Sequence, residues 1–179
     1  MKMNAKKLFA TLAIGLGAFF YAVNTFAADS VSIKVTGKII SLPCTTVNGG
    51  AATKSVSLGD SIGADTLSKA GSGSTKVLFE IPVTGCPAGT TNVKATFSGT
   101  ADPDSIVRWK NTAANPAPNT AVEITNQSNG NLVYDGSTLD APVSSGNATF
   151  KLQARAYSPD GSAKPGDIEA VVVATFEYQ

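Results

Sequence analysis

Beyond residue 27, apolar and polar residues alternate with a period of two through most of the chain, and no long window carries an apolar stripe at helical spacing. Val31, Ile33, Val35, Gly37 and Ile39 alternate with Ser32, Lys34, Thr36 and Lys38. Near the other end Ile168, Ala170, Val172, Ala174, Phe176 and Tyr178 fall on one face, while Val171 and Val173 make the opposite face partly apolar. Between these ends, residues 55–58, 77–83, 92–97, 121–125, 132–134 and 149–157 predict short strands. Turn chemistry separates them: Asn48-Gly49-Gly50, Gly71-Ser72-Gly73, Asn129-Gly130, Asp135-Gly136 and Pro159-Asp160-Gly161. Residues 61–70 predict a helical turn. Many short strands with regular turns predict an all-β fold, an antiparallel β-sandwich of immunoglobulin-like type.

The first 27 residues are built differently. Lys2, Lys6 and Lys7 precede an almost continuously apolar run over residues 8–23, and Thr25-Phe26-Ala27 ends with small residues at the minus-three and minus-one positions. This is the pattern of a secretory signal peptide over residues 1–27. The alternative, a membrane anchor, is disfavoured because a span wants about 20 apolar residues. Cleavage after Ala27 removes three Lys and no acid, leaving 11 basic against 13 acidic residues, a net charge of −2, over 152 residues. That length suits one domain. Residues 71–75, 111–119 and 158–166 are rich in Gly, Pro, Asn or Ser, yet none divides the chain into halves with cores of their own.

Charge and chemistry narrow the function. A whole-chain net charge of +1 gives no electrostatic reason to expect nucleic acid as a partner. With no His in the chain, a His-dependent hydrolase or zinc enzyme is excluded. Gly71-Ser72-Gly73 lacks the ending of a phosphate-binding loop, and Asp102 and Asp104 are not followed by an EF-hand pattern. They read as acids on a solvated turn. The expectation is no catalytic residue, no metal site and no cofactor. Trp109, the only Trp, beside Arg108 offers a sugar-stacking platform, against which stands ordinary packing of a strand Trp. Asn126-Gln127-Ser128 and Asn147-Ala148-Thr149 match the glycosylation sequon, a pattern frequent by chance. Cys44 and Cys86 are the only cysteines, and in an exported domain they are expected to pair.

The two ends together carry a more specific signal. An alternating segment with one Gly, Gly37, leads directly into Pro43-Cys44. The second cysteine lies in Phe79-Glu80-Ile81-Pro82-Val83-Thr84-Gly85-Cys86-Pro87, followed later by Ala156-Tyr157. Gly166 is fourteenth from the end and Tyr178 penultimate. In this order and spacing the chain resembles the pilin subunits of chaperone–usher fimbriae of type 1 kind, over essentially its whole mature length.

The resemblance implies an immunoglobulin-like sandwich that lacks its last strand and is completed by a donor strand from a neighbouring subunit. Its implied divisions are residues 1–27 as signal peptide, 28–43 as donor-strand arm and 44–179 as pilin domain. Val31, Ile33, Val35, Gly37 and Ile39 become the donor strand. Gly166, Ile168, Ala170, Val172, Ala174, Phe176 and Tyr178 become the strand facing chaperone or donor. The implied partners are a periplasmic pilus chaperone, an outer-membrane usher and other pilin subunits. The implied route runs through the periplasm to an adhesive fimbria on the bacterial surface. Alternation alone does not separate an arm donated to a neighbour from a first strand completing its own domain. The second function class is a monomeric secreted or periplasmic carbohydrate-binding module that uses Trp109.

Overall fold

The computed structural model describes residues 31–179; the signal peptide assigned to residues 1–27 lies outside the described residues. The chain divides into two units, Met1–Lys38 and Ile39–Gln179. Within the first, residues 31–38 form no strand and all are exposed. An alternating segment becomes a strand only where a neighbouring strand takes up its backbone N–H and C=O groups.

The second unit is all-β apart from two short 3₁₀ turns, Asn48–Gly50 and Ala64–Leu67. Its strands are β1 (Thr46–Val47), β2 (Ser72–Gly73), β3 (Val77–Thr84), β4 (Asn92–Gly99), β5 (Trp109–Lys110), β6 (Ala121–Asn126), β7 (Leu132–Val133), β8 (Thr138–Pro142), β9 (Asn147–Ser158) and β10 (Val172–Tyr178). The larger sheet runs β1-β3-β9-β6-β5, with β2 also pairing β9 and β7 pairing β6; the smaller runs β10-β4-β8. All these pairings are antiparallel.

The core forms where the period-two patterns of the two sheets meet. Along β9, Ala148, Phe150, Leu152, Ala154 and Ala156 are buried, and along β4 Val93, Ala95 and Phe97 are buried. The intervening residues of these strands carry the polar positions, as alternation dictates for a sheet wet on one side. Leu67 anchors the predicted helical turn at 3% exposure. The disulfide Cys44–Cys86, at 2.04 Å, ties the start of the domain to the segment after β3, where the Thr45 N–H also donates to the Gly85 carbonyl.

Several expectations need correction. Residues 55–58 form no strand, while β1, β2 and β8 arise where no strand was expected. The C-terminal strand begins at Val172, so Gly166, Ile168 and Ala170 precede it. The 111–117 loop pairs with this stretch through the backbone of the alternate residues, Asp167 and Glu169. The Thr112 and Ala117 N–H groups donate to the Glu169 and Asp167 carbonyls, the Asp167 N–H to the Asn115 carbonyl, and the Glu169 N–H to Asn111 Oδ1. Gly166 is required by this approach, because a Cβ there would lie 2.5 Å from Ala117 Cα.

Asp102 is 6% exposed rather than solvated. Its Oδ1 accepts the N–H groups of Asp104 and Ser105, closing the turn that follows β4. Trp109 is fully buried in the core, so no stacking platform exists there. Its neighbour Arg108 is also occupied: it donates to Glu123 Oε2 and lies 3.7 Å from the Tyr157 ring centroid.

Candidate assembly interface

Among the sheet edges without a ladder partner in the described residues, two run beside incompletely covered apolar side chains. β10 pairs only with β4, from Val172 opposite Gly99 to Tyr178 opposite Val93, and so ends the smaller sheet. On the larger sheet β1 covers only Val83 and Thr84 of β3, which leaves the rest of that strand's outer edge without a neighbouring strand. Unpaired edges expose backbone donors and acceptors in a row, which is a template for an added strand.

The side chains beside these edges are apolar and incompletely covered. Val172, Ala174, Phe176 and Tyr178 of β10 point towards the core, yet each is only partly buried. Ile168 and Ala170, ahead of the strand, continue the same line. On the other side stand Phe79 and Ile81 of β3, also partly buried, with Val47 of the adjoining β1. Phe176 reaches across the trough to Phe150, whose ring centroid is 5.7 Å away. By contrast, the central strands hold their inward residues at full burial: Val93 and Ala95 are 0% exposed and Leu152 is 1%. The core therefore thins along one line, between β3 and β10. A chain segment laid there with alternating apolar residues repairs both the wet pockets and the unpaired backbone.

The outer face of β10 is different. Val171 and Val173 are 66% and 55% exposed, and Lys94 and Glu177 make a surface ion pair at 3.5 Å.

The arm supplies a matching pattern. Val31, Ile33 and Val35 are 85%, 84% and 89% exposed, and Ile39 is wholly exposed. Gly37 has open space around the position of a Cβ. The C-terminal half of the trough was legible in the sequence through Val172, Ala174, Phe176 and Tyr178. Phe79 and Ile81 belong to the motif at the second cysteine, but their alternation predicts only a strand and carries no local signal that the strand lies at an edge.

Chemistry elsewhere is structural. Glu123, 4% exposed, accepts from Arg155 Nε at 2.7 Å on one carboxylate oxygen and from Arg108 on the other. Burial pushes its carboxyl up, but hydrogen bonds from Arg155 and Arg108 prevail and hold it below its ordinary value. Asp102 is pushed above its ordinary value, chiefly by burial and in part by the charge of Asp104. Among the described residues no cluster of three or more potential ligands is arranged to hold a metal.

A model of the family described as "Fimbrial protein" matches residues 33–179. The chain is 36% identical over 156 residues to Protein FimG of Escherichia coli K12, covering 86% of this chain and 88% of that protein. It is 38% identical over 156 residues to the S-fimbrial adhesin protein SfaS of Escherichia coli O6:K15:H31, covering 86% and 89% respectively. Its fold is similar to the crystal structure of the P pilus rod subunit PapA, with a TM-score of 0.63 at 20% identity, over 77% of this chain and 100% of that one.

Proposed function

Because the chain belongs to the fimbrial protein family and is a structural subunit of fimbriae, we propose that its arm is the donor strand for a neighbouring subunit. In this reading Val31, Ile33, Val35 and Ile39 enter that neighbour's trough, and Gly37 lies where the trough leaves no room for a side chain. The chain's own trough, between β3 and β10, takes up a strand in turn. One observation carries the reading: a line of half-buried apolar side chains runs beside two edges without ladder partners, in a chain whose arm residues are almost wholly exposed. Burying each large apolar side chain of the arm is worth about 1.5–3 kcal/mol, and the unpaired backbone groups gain partners in the same step.

A subunit of an extracellular pilus must reach the cell surface with its trough covered. The proposed route is export by the signal peptide of residues 1–27, followed by a periplasmic chaperone that fills the trough of the 44–179 domain. An outer-membrane usher then exchanges the chaperone for the arm, residues 28–43, of the next subunit. The fibre serves attachment, and the subunit itself is not an enzyme: Glu123, the most buried acid, is tied to two arginines.

The test is to export the chain with and without a co-expressed chaperone, and to add an arm peptide spanning residues 29–40 to the purified domain. A strong dependence of folded yield on the chaperone, and a rise in melting temperature with the peptide, are expected. A stable, fully folded monomer that needs neither overturns the reading.

A further inference from the structure

Four residues, Ile40, Ser41, Leu42 and Pro43, separate the last donor position, Ile39, from Cys44. Cys44 is fixed in the domain by its disulfide and is 7% exposed. Five residues of fully extended chain, each advancing at most about 3.6 Å, reach no further than about 18 Å. Once Ile39 is held in another subunit, that subunit's body must therefore lie close to the end of this domain that carries the disulfide. Pro43 restricts the backbone of the tether further.

That end of the domain has a concave apolar surface. In the unassembled subunit residues 39–42 and 87–90 line a cleft of about 230 Å³, and donation of Ile39 leaves Ile40, Ser41 and Leu42 as its wall on the arm side. Ile40 and Leu42 are 66% and 63% exposed, beside Pro87 and the exposed Ala88. Thr90, at 7% exposure, also lines the cleft, and its buried Oγ1 has no hydrogen-bond partner among the described residues.

We propose that this cleft is a second contact between successive subunits, the seat for the body of the subunit that has received the arm. That neighbour covers Ile40 and Leu42 with apolar side chains. The seat converts a flexible tether into a defined angle between subunits. It rests on donation of the arm, which holds the neighbour at high effective concentration, so a small surface suffices.

The test places a photoreactive residue in the full chain by Ala88→p-benzoylphenylalanine, with Ser41→p-benzoylphenylalanine as a second site should the first perturb assembly. Fibres and chaperone-bound monomer are irradiated separately, then dissociated by heat in denaturant. A covalent dimer from fibres, absent from the monomer, is expected. In fibres that also carry Ile40→Ser and Leu42→Ser the dimer should fall severalfold while fibres still form, since residues 31–39 are unchanged. Fibres that form normally but yield no covalent dimer at either site overturn the seat and leave donation intact. Failure of the unsubstituted chain to form fibres overturns donation, and the seat with it.

Discussion

Glu123 shows how a charge is tolerated inside an apolar fold. It is 4% exposed and both its oxygens are taken by guanidinium groups, whose own side chains are 15% and 25% exposed. Removing one member of such a buried cluster leaves the others poorly paired, so Glu123→Gln should destabilise the domain by about 3 kcal/mol at neutral pH, read by urea unfolding of the chaperone-free domain bound to arm peptide. Its folded pKa is below the unfolded value near 4.5, so its stabilisation is present above that value and is lost as pH falls through the lower folded one. The variant should flatten the acid limb of the stability profile. Asp102 works in the opposite sense. Its folded pKa lies above 3.8, so the folded state holds the proton more tightly, and stability from this group falls as pH rises through the interval above 3.8. Asp102→Asn keeps an oxygen for the Asp104 and Ser105 N–H groups and removes the buried charge. A higher melting temperature at pH 7, measured calorimetrically, is expected; an unchanged one contradicts burial as the cause.

At the level of elements, β10 is held on one edge and exposed on the other. Its inward residues are shared between the domain's own core and whatever strand completes it. Phe176 touches Phe150 and is still only partly buried, so Phe176→Asp places an unpaired carboxylate at the trough floor. Chaperone binding and fibre entry should both fall sharply, as pull-down and electron microscopy would read; normal levels of both would mean that this face of β10 is not the one that receives a strand. The arm predicts a different split. A Cβ at Gly37 meets nothing within 4 Å, so Gly37→Leu costs the unassembled subunit nothing. Inside another subunit's trough the added heavy atoms have no space. Chaperone-bound monomer should be normal and fibres few; equal fibre yield from Gly37→Leu would refute the placing of Gly37.

For the whole molecule, the missing strand makes covalent closure matter. Cys44 and Cys86 close a loop of about 43 residues, worth roughly 3–5 kcal/mol in the chain-entropy description. A complete domain of this size has only about 5–15 kcal/mol in total, and this one lacks part of its core cover. Replacing both cysteines by Ser should therefore reduce chaperone-bound folded subunit severalfold in the export assay. Undiminished yield would show that the two sheets carry the fold without the staple.

The period-two pattern determined the all-β class, the inward faces of β3, β4, β6, β9 and β10 and the alternating arm, because which face of a strand is apolar is a local property of the chain. Cysteine count and export pattern similarly anticipated the Cys44–Cys86 bond. The order and spacing of the end motifs carried the family. Tertiary structure decided what depends on neighbours. It alone made β3 and β10 the edges of the trough, buried Asp102 and Trp109, and gathered Arg108, Glu123 and Arg155 from three parts of the chain. It also paired Asp167 and Glu169 with the 111–117 loop, so that the residues between them precede the sheet. Whether an apolar strand is central, at an edge, or an arm is set by which backbone groups lie beside it, and residues far apart in sequence supply those.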